Sequence, residues 1–261
     1  MVPIWLLPAQ IPGEALVNHA VKITLAPAIV ITVVLISSGY PVVSHAEYSF
    51  AFYGGASASR DSDVHLQQAG GTDLEFHGVS WRDRSFKLPI YYGMRLTRWS
   101  QNSPNWGLAL DFTHAKVYAK LNETVRVSGT RQGNPVNANE RPDDTFDELS
   151  MSHGHNLLTL NALYRWHPAD QCLHPYAGIG AGIAIPHVEV ITSGISNDEY
   201  QIAGPAFNVM AGMLYKISDR VAAFAEYKWS YADIDADLQA GGSLETTVRT
   251  NHYDIGVDFI F

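Results

Sequence analysis

Apolar residues alternate with polar or small residues along most of the chain after residue 47. Eight stretches follow this period of two, beginning with Tyr48, Phe50 and Phe52 and continuing over 86–96, 106–112, 158–166, 179–185, 207–215, 223–231 and 253–261. Successive side chains of a β-strand point to opposite faces of the sheet. The alternation therefore predicts eight strands, each with one apolar face.

The opposite faces of these strands carry polar, charged or small residues. The charged members are Arg95, Asp111, Glu226, Lys228, Asp254 and Asp258. The strands are long, and aromatic residues lie near their ends. A polar interior inside an apolar wall with aromatic girdles is typical of transmembrane barrels. We therefore predict an all-β fold, an eight-stranded antiparallel outer-membrane β-barrel.

The connections between the predicted strands support a barrel that crosses a membrane. Those at 100–105, 168–175 and 217–220 are short, whereas those at about 57–85 and 119–155 are long. Outer-membrane barrels have short periplasmic turns and longer extracellular loops. Eight strands enclose only enough space for side chains. We therefore expect function on the outer wall or in the two long extracellular loops.

The N-terminal segment resembles an export signal. An apolar run at 23–37 follows Lys22, and the small-residue sequence Ser44-His45-Ala46 comes after it. This run is shorter than the roughly 20 residues that a spanning helix needs. We expect residues 1–46 to be a cleaved signal peptide and residues 47–261 to form the barrel.

Composition excludes several other classes of protein. The chain has 261 residues, 46% of them hydrophobic, and a net charge of −9, which argues against nucleic-acid binding. Its single cysteine, Cys172, excludes a disulfide framework and zinc sites built on several thiolates. The glycines at 178, 180 and 182 lack the remainder of a dinucleotide fingerprint, so no flavin or nicotinamide motif is present.

Two sets of charges have structural interpretations. The interior charges could form a proton path, although a paired network that fills the lumen is the favoured interpretation. Acidic tracts at 143–148 and 233–237 could bind divalent cations, but they are interpreted as solvated loop charges.

At the predicted outer ends of several strands, charged residues occupy the alternate positions that face lipid elsewhere in the same strand. These residues are His114 and Lys116, His187 and Glu189, Arg82 and Arg84, and Arg249. The headgroup of the outer leaflet is lipid A, whose phosphates suit cations. A His–Glu pair suits proton transfer or metal binding. The alternative is that these charges simply meet headgroups and water.

Several stretches resemble a known family. "DFTHAKVYA" at 111–119 and "PYAGIGAGIAIPHVEV" at 175–190, with "LLTLNALYRW" at 157–166, look like the lipid A oxidase group of outer-membrane barrels, which is related in fold to opacity-type surface antigens. The resemblance implies dioxygen-dependent oxidation of the proximal glucosamine of lipid A to 2-aminogluconate, with peroxide as co-product. The stretch at 81–84 and the longer segment at 119–155 depart from the family pattern.

The combined hypothesis assigns roles to seven residues. His114, His187 and Glu189 are expected to be catalytic and to hold a divalent or redox metal, because dioxygen reacts slowly with sugars without a mediator. Arg82, Arg84, Lys116 and Arg249 are expected to bind the substrate. The expected partners are lipopolysaccharide and the outer membrane of a Gram-negative cell, with the chain as a monomer.

Two other functions stay open. A surface antigen, adhesin or membrane-stabilising barrel would place its function in the loops and tolerate changes at His114 and His187. A lipid A deacylase is disfavoured, because no histidine has a serine two residues later.

Overall fold

A computed structural model describes residues 46–167, 172–192 and 195–261. The expected signal peptide, apart from Ala46, lies outside the described residues. The described chain contains the strands β1 (Tyr48–Ser59), β2 (Ser62–Gln68), β3 (Thr72–Val79), β4 (Trp81–Asp83), β5 (Tyr92–Trp99), β6 (Trp106–Ala119), β7 (Val125–Arg131), β8 (Asn134–Glu140), β9 (Glu148–Arg165), β10 (Leu173–Ala184), β11 (His187–Thr192), β12 (Ile195–Tyr200), β13 (Gly204–Lys216), β14 (Val221–Asp237) and β15 (Gly242–Ile260), with one 3-10 turn at Pro142–Asp144. Within the described residues, no helix is long and apolar enough to cross a membrane.

Eight strands close into an antiparallel ring. Their order is β1, β5, β6, β9, β10, β13, β14 and β15, and β15 pairs with β1 to complete the circle. Phe52, for example, lies opposite Met94 on one side and Val257 on the other. Closure leaves no unpaired strand edge in the wall, which a barrel in lipid requires. The predicted eight-stranded antiparallel barrel is confirmed.

Apolar side chains face outward and polar side chains face the lumen. Leu108, Leu160 and Ile255 are 55%, 58% and 69% exposed, although each is apolar and lies in the middle of a strand. A soluble protein would bury such residues, whereas the hydrocarbon of a bilayer solvates them. The wall is therefore a surface for lipid.

The lumen is filled by a paired network of charges. Arg95 Nε donates to Asp111 Oδ2 at 2.6 Å, and the two terminal nitrogens of Arg95 donate to the Glu226 carboxylate at 2.7 and 2.8 Å. Lys228 Nζ donates to Asp111 Oδ1 at 3.1 Å and to the Tyr53 hydroxyl at 2.9 Å. These groups are buried and satisfy one another, in agreement with the paired-network interpretation. Among the described residues, the Asp254 carboxylate and Asp258 Oδ1 have no hydrogen-bond partner.

The second strand of the ring is shorter than the alternation predicts. It begins at Tyr92, and residues 84–91 form a turn in which Phe86, Leu88 and Ile90 stay exposed. Pro89 has no backbone N–H and cannot contribute to a central ladder. The backbone N–H of Tyr91 instead donates to the Ser85 carbonyl at 2.7 Å and closes the turn.

The two predicted long loops are largely β-structure. Residues 57–85 include β2, β3 and β4, and residues 119–155 include β7 and β8. The ladder runs from the outer end of β15 through β2, β3, β7 and β8. We call this continuation the extracellular sheet, because it lies at the end of the barrel opposite the short turns. Its buried face includes Val64, Leu66, Leu74, Phe76 and Leu244.

Candidate functional site

A bulge in β9 turns one histidine toward the outer surface. On β6, Ala115 pairs with His155, but Val117 pairs with Met151, so β9 carries two extra residues between these pairs. Gly154 within the bulge has φ +144°, a conformation that side chains disfavour. Bulges re-aim side chains. The His153 side chain is accordingly 62% exposed, although its neighbours His155 and Met151 are buried.

The hairpin formed by β11 and β12 brings three further groups to the same place. Glu189 of β11 pairs with Ser150 of β9, so its carboxylate lies beside the bulge. His187 pairs with Tyr200 across the hairpin, and Glu189 pairs with Asp198.

His153, His187, Glu189 and Asp198 form one compact group, called here the outer cluster. One ligand atom from each residue lies within 4.8 Å of the others. His153 Nδ1 lies 2.5 Å from Glu189 Oε1, and His187 Nδ1 lies 3.3 Å from the same oxygen. His187 Nε2 lies 3.3 Å from Asp198 Oδ1.

Hydrogen bonds from neighbouring side chains keep the Glu189 carboxylate charged. Burial disfavours the charged form, but hydrogen bonds from Ser152 and His153 outweigh it, so the pKa of Glu189 lies below its usual value. The Ser150 hydroxyl adds a bond of 3.2 Å to the same carboxylate. Tyr200 packs edge-on against the His187 ring, with centroids 4.4 Å apart, and fixes its orientation.

The donor set of the outer cluster fits a transition metal. Two imidazoles and two carboxylates suit iron, copper, zinc or manganese more than calcium, which prefers oxygen alone. The side chains of His153 and Asp198 are 62% and 64% exposed, which leaves the cluster open to an external molecule. His187 and Glu189, at 12% and 14%, hold its inner side.

The predicted ligand set of His114, His187 and Glu189 is only partly brought together in the structure. The structure brings His187 and Glu189 together, but His114 is not part of the outer cluster. His114 belongs to β6, where Nδ1 lies 2.8 Å from Asn156 Oδ1 and the ring stacks on Tyr92 at 4.9 Å. His114 is 4% exposed, and its Nε2 atom has no hydrogen-bond partner in the described part of the chain.

His153 and Asp198, and not His114, complete the outer cluster. Neither residue was predicted from the sequence. Strict alternation from Leu157 and Thr159 would point His153 into the lumen, so only the bulge reveals it. The conspicuous signal was the glycine between two histidines, His153-Gly154-His155, because glycine inside a strand often marks a bulge.

The predicted substrate-binding cations do not form one group. Lys116 is 3% exposed, and its Nζ atom donates to the Leu88 and Lys87 carbonyls at 2.9 and 3.4 Å, so it holds the turn at 84–91. Arg84 lies over the Tyr118 ring at 4.1 Å, and Arg82 pairs with Tyr118 across β4 and β6.

Arg249 lies in a different recess. That recess is lined by Asp61, Asp63, Asp233 and Glu245, whereas Arg82 and Arg84 line a recess with Tyr118 and Lys120. Arg84 and Arg82 therefore remain candidates for contact with a headgroup beside the outer cluster, and Arg249 is separate from them.

The acidic tracts do not form compact ion sites within the described residues. Asp233, Asp235 and Asp237 alternate with buried Ile234 and Ala236 along β14, so they belong to a strand and not to a loop. A second potential ligand group, Asp63, Glu75 and His77, lies on the extracellular sheet, where both carboxylates are exposed.

The outer cluster lies at the level expected for lipid headgroups. The β9 bulge that carries His153 lies opposite Lys116, ten residues after Trp106, the first residue of β6 at the short-turn end. At about 3.3 Å per residue and a tilt of about 40°, this separation spans about 25 Å along the membrane normal. The apolar band of such barrels is also about 25 Å tall. The cluster is therefore expected at the outer edge of the hydrocarbon.

A comparison with solved structures returned several bacterial outer-membrane proteins. Neisserial surface protein A is 14% identical, with a TM-score of 0.41 over 82% of this chain and 96% of that one. Ail of Yersinia pestis is 12% identical, with a TM-score of 0.37 over 83% and 99% of the two chains. The Escherichia coli protease OmpT is 7% identical, with a TM-score of 0.41 over 86% and 99%. A search of curated proteins found no significant match.

Comparison with protein-family models identifies the family. The model described as outer membrane protein beta-barrel domain matches residues 35–261, most of the chain. The match agrees with the closed ring, the apolar wall and the polar lumen. The chain therefore belongs to the outer membrane protein beta-barrel domain family and is a protein of the Gram-negative outer membrane.

Proposed function

We propose that this barrel is an enzyme that oxidises the proximal glucosamine of lipid A to 2-aminogluconate, with dioxygen as the oxidant. The outer cluster carries the proposal, because it combines four metal-ligating side chains at headgroup level on the lipid-facing side. The resemblance of residues 111–119 and 185–190 to lipid A oxidases supports the same reaction.

The reaction balances as a two-electron oxidation. The C–H and O–H bonds at the anomeric carbon of the sugar break, and the carbon becomes the carbonyl carbon of a lactone. Dioxygen takes up the two electrons and two protons as hydrogen peroxide. Water then opens the lactone to the 2-aminogluconate unit. The net change is one added oxygen atom, a gain of about 16 Da. The substrate must therefore carry a free anomeric hydroxyl.

Residues of the outer cluster would hold the metal and position the sugar. A redox metal bound there would supply the one-electron steps that dioxygen requires. His187 and Glu189 provide the inner ligands, and His153 and Asp198 close the outer side. The exposed His153 imidazole, which also contacts Glu189, is our candidate to accept the anomeric hydroxyl proton, whereas His114 is buried and bonded to Asn156.

Purified protein tests this proposal. Wild-type barrel in detergent, loaded with Fe²⁺ or Cu²⁺ and given lipid A under air, is expected to form peroxide and a product about 16 Da heavier in equal amounts. His187→Ala is expected to abolish both signals, whereas His65→Ala, in the extracellular sheet, should retain them. Equal activity of His187→Ala and wild type would contradict the assignment of the site.

One observation favours a non-enzymatic surface protein instead. The extracellular sheet covers an apolar core that it shares with the outer ends of the ring strands, and the residues of its outermost strand, β8, are mostly exposed. An exposed strand edge can pair with a strand of another protein. Unchanged lipid A in every preparation, together with binding to host or bacterial surfaces that requires β7 and β8, would favour this second function.

A further inference from the structure

The turn at 84–91 presents apolar side chains that contact little of the protein. Phe86 and Leu88 are 83% and 87% exposed, and Ile90 is 49% exposed. Among the described residues, the first two values exceed those of the lipid-facing residues of the ring strands, which reach 69% at Ile255. The side chains of the turn lie near the outer cluster, since Lys116, which binds the turn, is the β6 residue opposite the bulge that carries His153.

The turn is held firmly by polar contacts at its base. The Ser85 hydroxyl accepts from the Ser57 backbone N–H at 3.0 Å, which ties the turn to β1. Lys116 of β6 donates to the Leu88 carbonyl at 2.9 Å. The buried Lys116 ammonium group binds two backbone carbonyls of the turn and so fixes its tip. The apolar side chains of the turn point away from the protein.

The length of β5 places this tip within the outer leaflet. β5 has eight residues, fewer than the 9–11 that a transmembrane strand needs. At about 3.3 Å per residue and a tilt of about 40°, it rises about 20 Å of the roughly 25 Å apolar band. The turn covers the part of the apolar band that β5 does not span, so Phe86, Leu88 and Ile90 contact acyl chains and not water.

Cations flank the apolar tip on the side of the headgroups. Lys87 lies within the tip and Arg84 at its base. Arg82 and Lys120 line the adjacent recess, which Asp143, Asp147 and Glu148 also line, so the cations nearest the tip are Arg84 and Lys87. An acyl surface below a group of cations matches an amphiphile that carries both fatty acids and phosphate. In the outer leaflet this chemistry is that of lipid A.

We infer that the turn at 84–91 is a lipid-docking surface that binds the acyl chains of one lipid A molecule and positions the sugar of that molecule at the outer cluster. Phe86, Leu88 and Ile90 contact the chains, Arg84 and Lys87 contact a phosphate, and Lys116 is a positioning residue that fixes the turn. The inference deepens the proposed function by assigning substrate recognition to a segment outside the cluster.

Lipid retention tests the docking surface without any turnover. Metal-free wild-type barrel, purified in mild detergent from outer membranes, is expected to carry about one lipid A per chain by native mass spectrometry. The triple variant Phe86→Ser/Leu88→Ser/Ile90→Ser should retain at least about fivefold less. The matched control Trp166→Ser/Leu173→Ser/Ile217→Ser removes exposed apolar residues at the short-turn end and should retain the wild-type amount.

Folding is checked by the heat-dependent shift of the barrel in gel electrophoresis. If the triple variant does not insert, Leu88→Ser alone serves, with an expected loss of about twofold. Equal retention by wild type and the folded variant would overturn the inference, as would retention of phospholipid in place of lipid A. Lowered retention in the variant without a 16 Da gain in wild type would contradict the proposed oxidation and leave the docking surface standing.

Discussion

At the scale of single residues, the site depends on the direction in which a few side chains point. His153 would face the lumen in a regular strand, and the bulge around Gly154 instead turns it toward Glu189. His187 and Glu189 could be anticipated from sequence, because they follow lipid-facing residues with the same parity. His153 and Asp198 could not, since a bulge and a short hairpin break the simple alternation.

Metal affinity should depend on the outer cluster and not on His114. We expect His153→Ala and His187→Ala to weaken Fe²⁺ or Zn²⁺ binding by at least about tenfold, because each removes a ligand. His114→Ala should change affinity less than twofold, since His114 is bonded to Asn156 outside the cluster. Titration calorimetry of the purified barrel measures these constants. Tight binding by the double variant His153→Ala/His187→Ala would exclude the cluster as the metal site.

A second residue-scale prediction concerns the extracellular sheet. His65 Nε2 lies 2.7 Å from Asp73 Oδ1, and this hydrogen bond raises the pKa of His65 despite opposing burial. The contact stabilises the β2–β3 hairpin most at pH below the ordinary histidine value of about 6.5, and the stabilisation is lost as pH rises through the raised pKa. NMR titration of His65 should show a midpoint that falls in Asp73→Asn. An unchanged midpoint would mean that the pair does not form.

At the scale of strands, the alternation of apolar and polar residues predicted the barrel wall but did not predict the extracellular sheet above it. All eight ring strands coincide with stretches of period-two apolar residues, because lipid imposes one polarity on the whole outer face. The strands β2, β3, β7 and β8 were expected as loops. They are short, and one face meets water while the other covers an apolar core, so their pattern is short and mixed with polar residues.

The glycines of β10 are strand features, and their substitution should disturb the barrel. A Cβ atom at Gly182 would come 1.9 Å from the Leu158 carbonyl oxygen and 2.7 Å from Thr159 Cα. We expect Gly182→Val to force β9 and β10 apart, at a cost of at least about 1–3 kcal/mol. The adjacent Ala181 is exposed on the outer wall, so Ala181→Val should be tolerated. Urea unfolding in detergent compares the two, and equal stability would contradict the close packing of these strands.

At the scale of the whole molecule, polarity is inverted relative to a soluble protein. The wall is apolar, and the lumen holds ion pairs among Arg95, Asp111, Glu226 and Lys228, so stability depends on charges that satisfy each other at the centre. A filled lumen is consistent with the proposal that the chemistry takes place on the outer surface. The fold class followed from sequence for the same reason, because the inverted pattern is repeated in every ring strand.

Loss of one partner in the lumen should be costly. Arg95→Met would leave Asp111 and Glu226 buried without their guanidinium partner. We expect the free energy of unfolding to fall by about 3–5 kcal/mol. Arg98→Met, on the exposed face of the same strand, should change it by less than about 0.5 kcal/mol. Equal effects of the two substitutions in urea unfolding would contradict the paired lumen.

Mass spectrometry of lipid A from living cells tests the central claim most directly. Cells that carry a free anomeric hydroxyl on lipid A and express the wild-type barrel under air are expected to yield a species about 16 Da heavier. Cells expressing His187→Ala/Glu189→Gln, with equal amounts of folded barrel in the outer membrane, are expected to yield only the parent mass. Identical lipid A spectra from the two strains would contradict the proposal that the outer cluster oxidises lipid A.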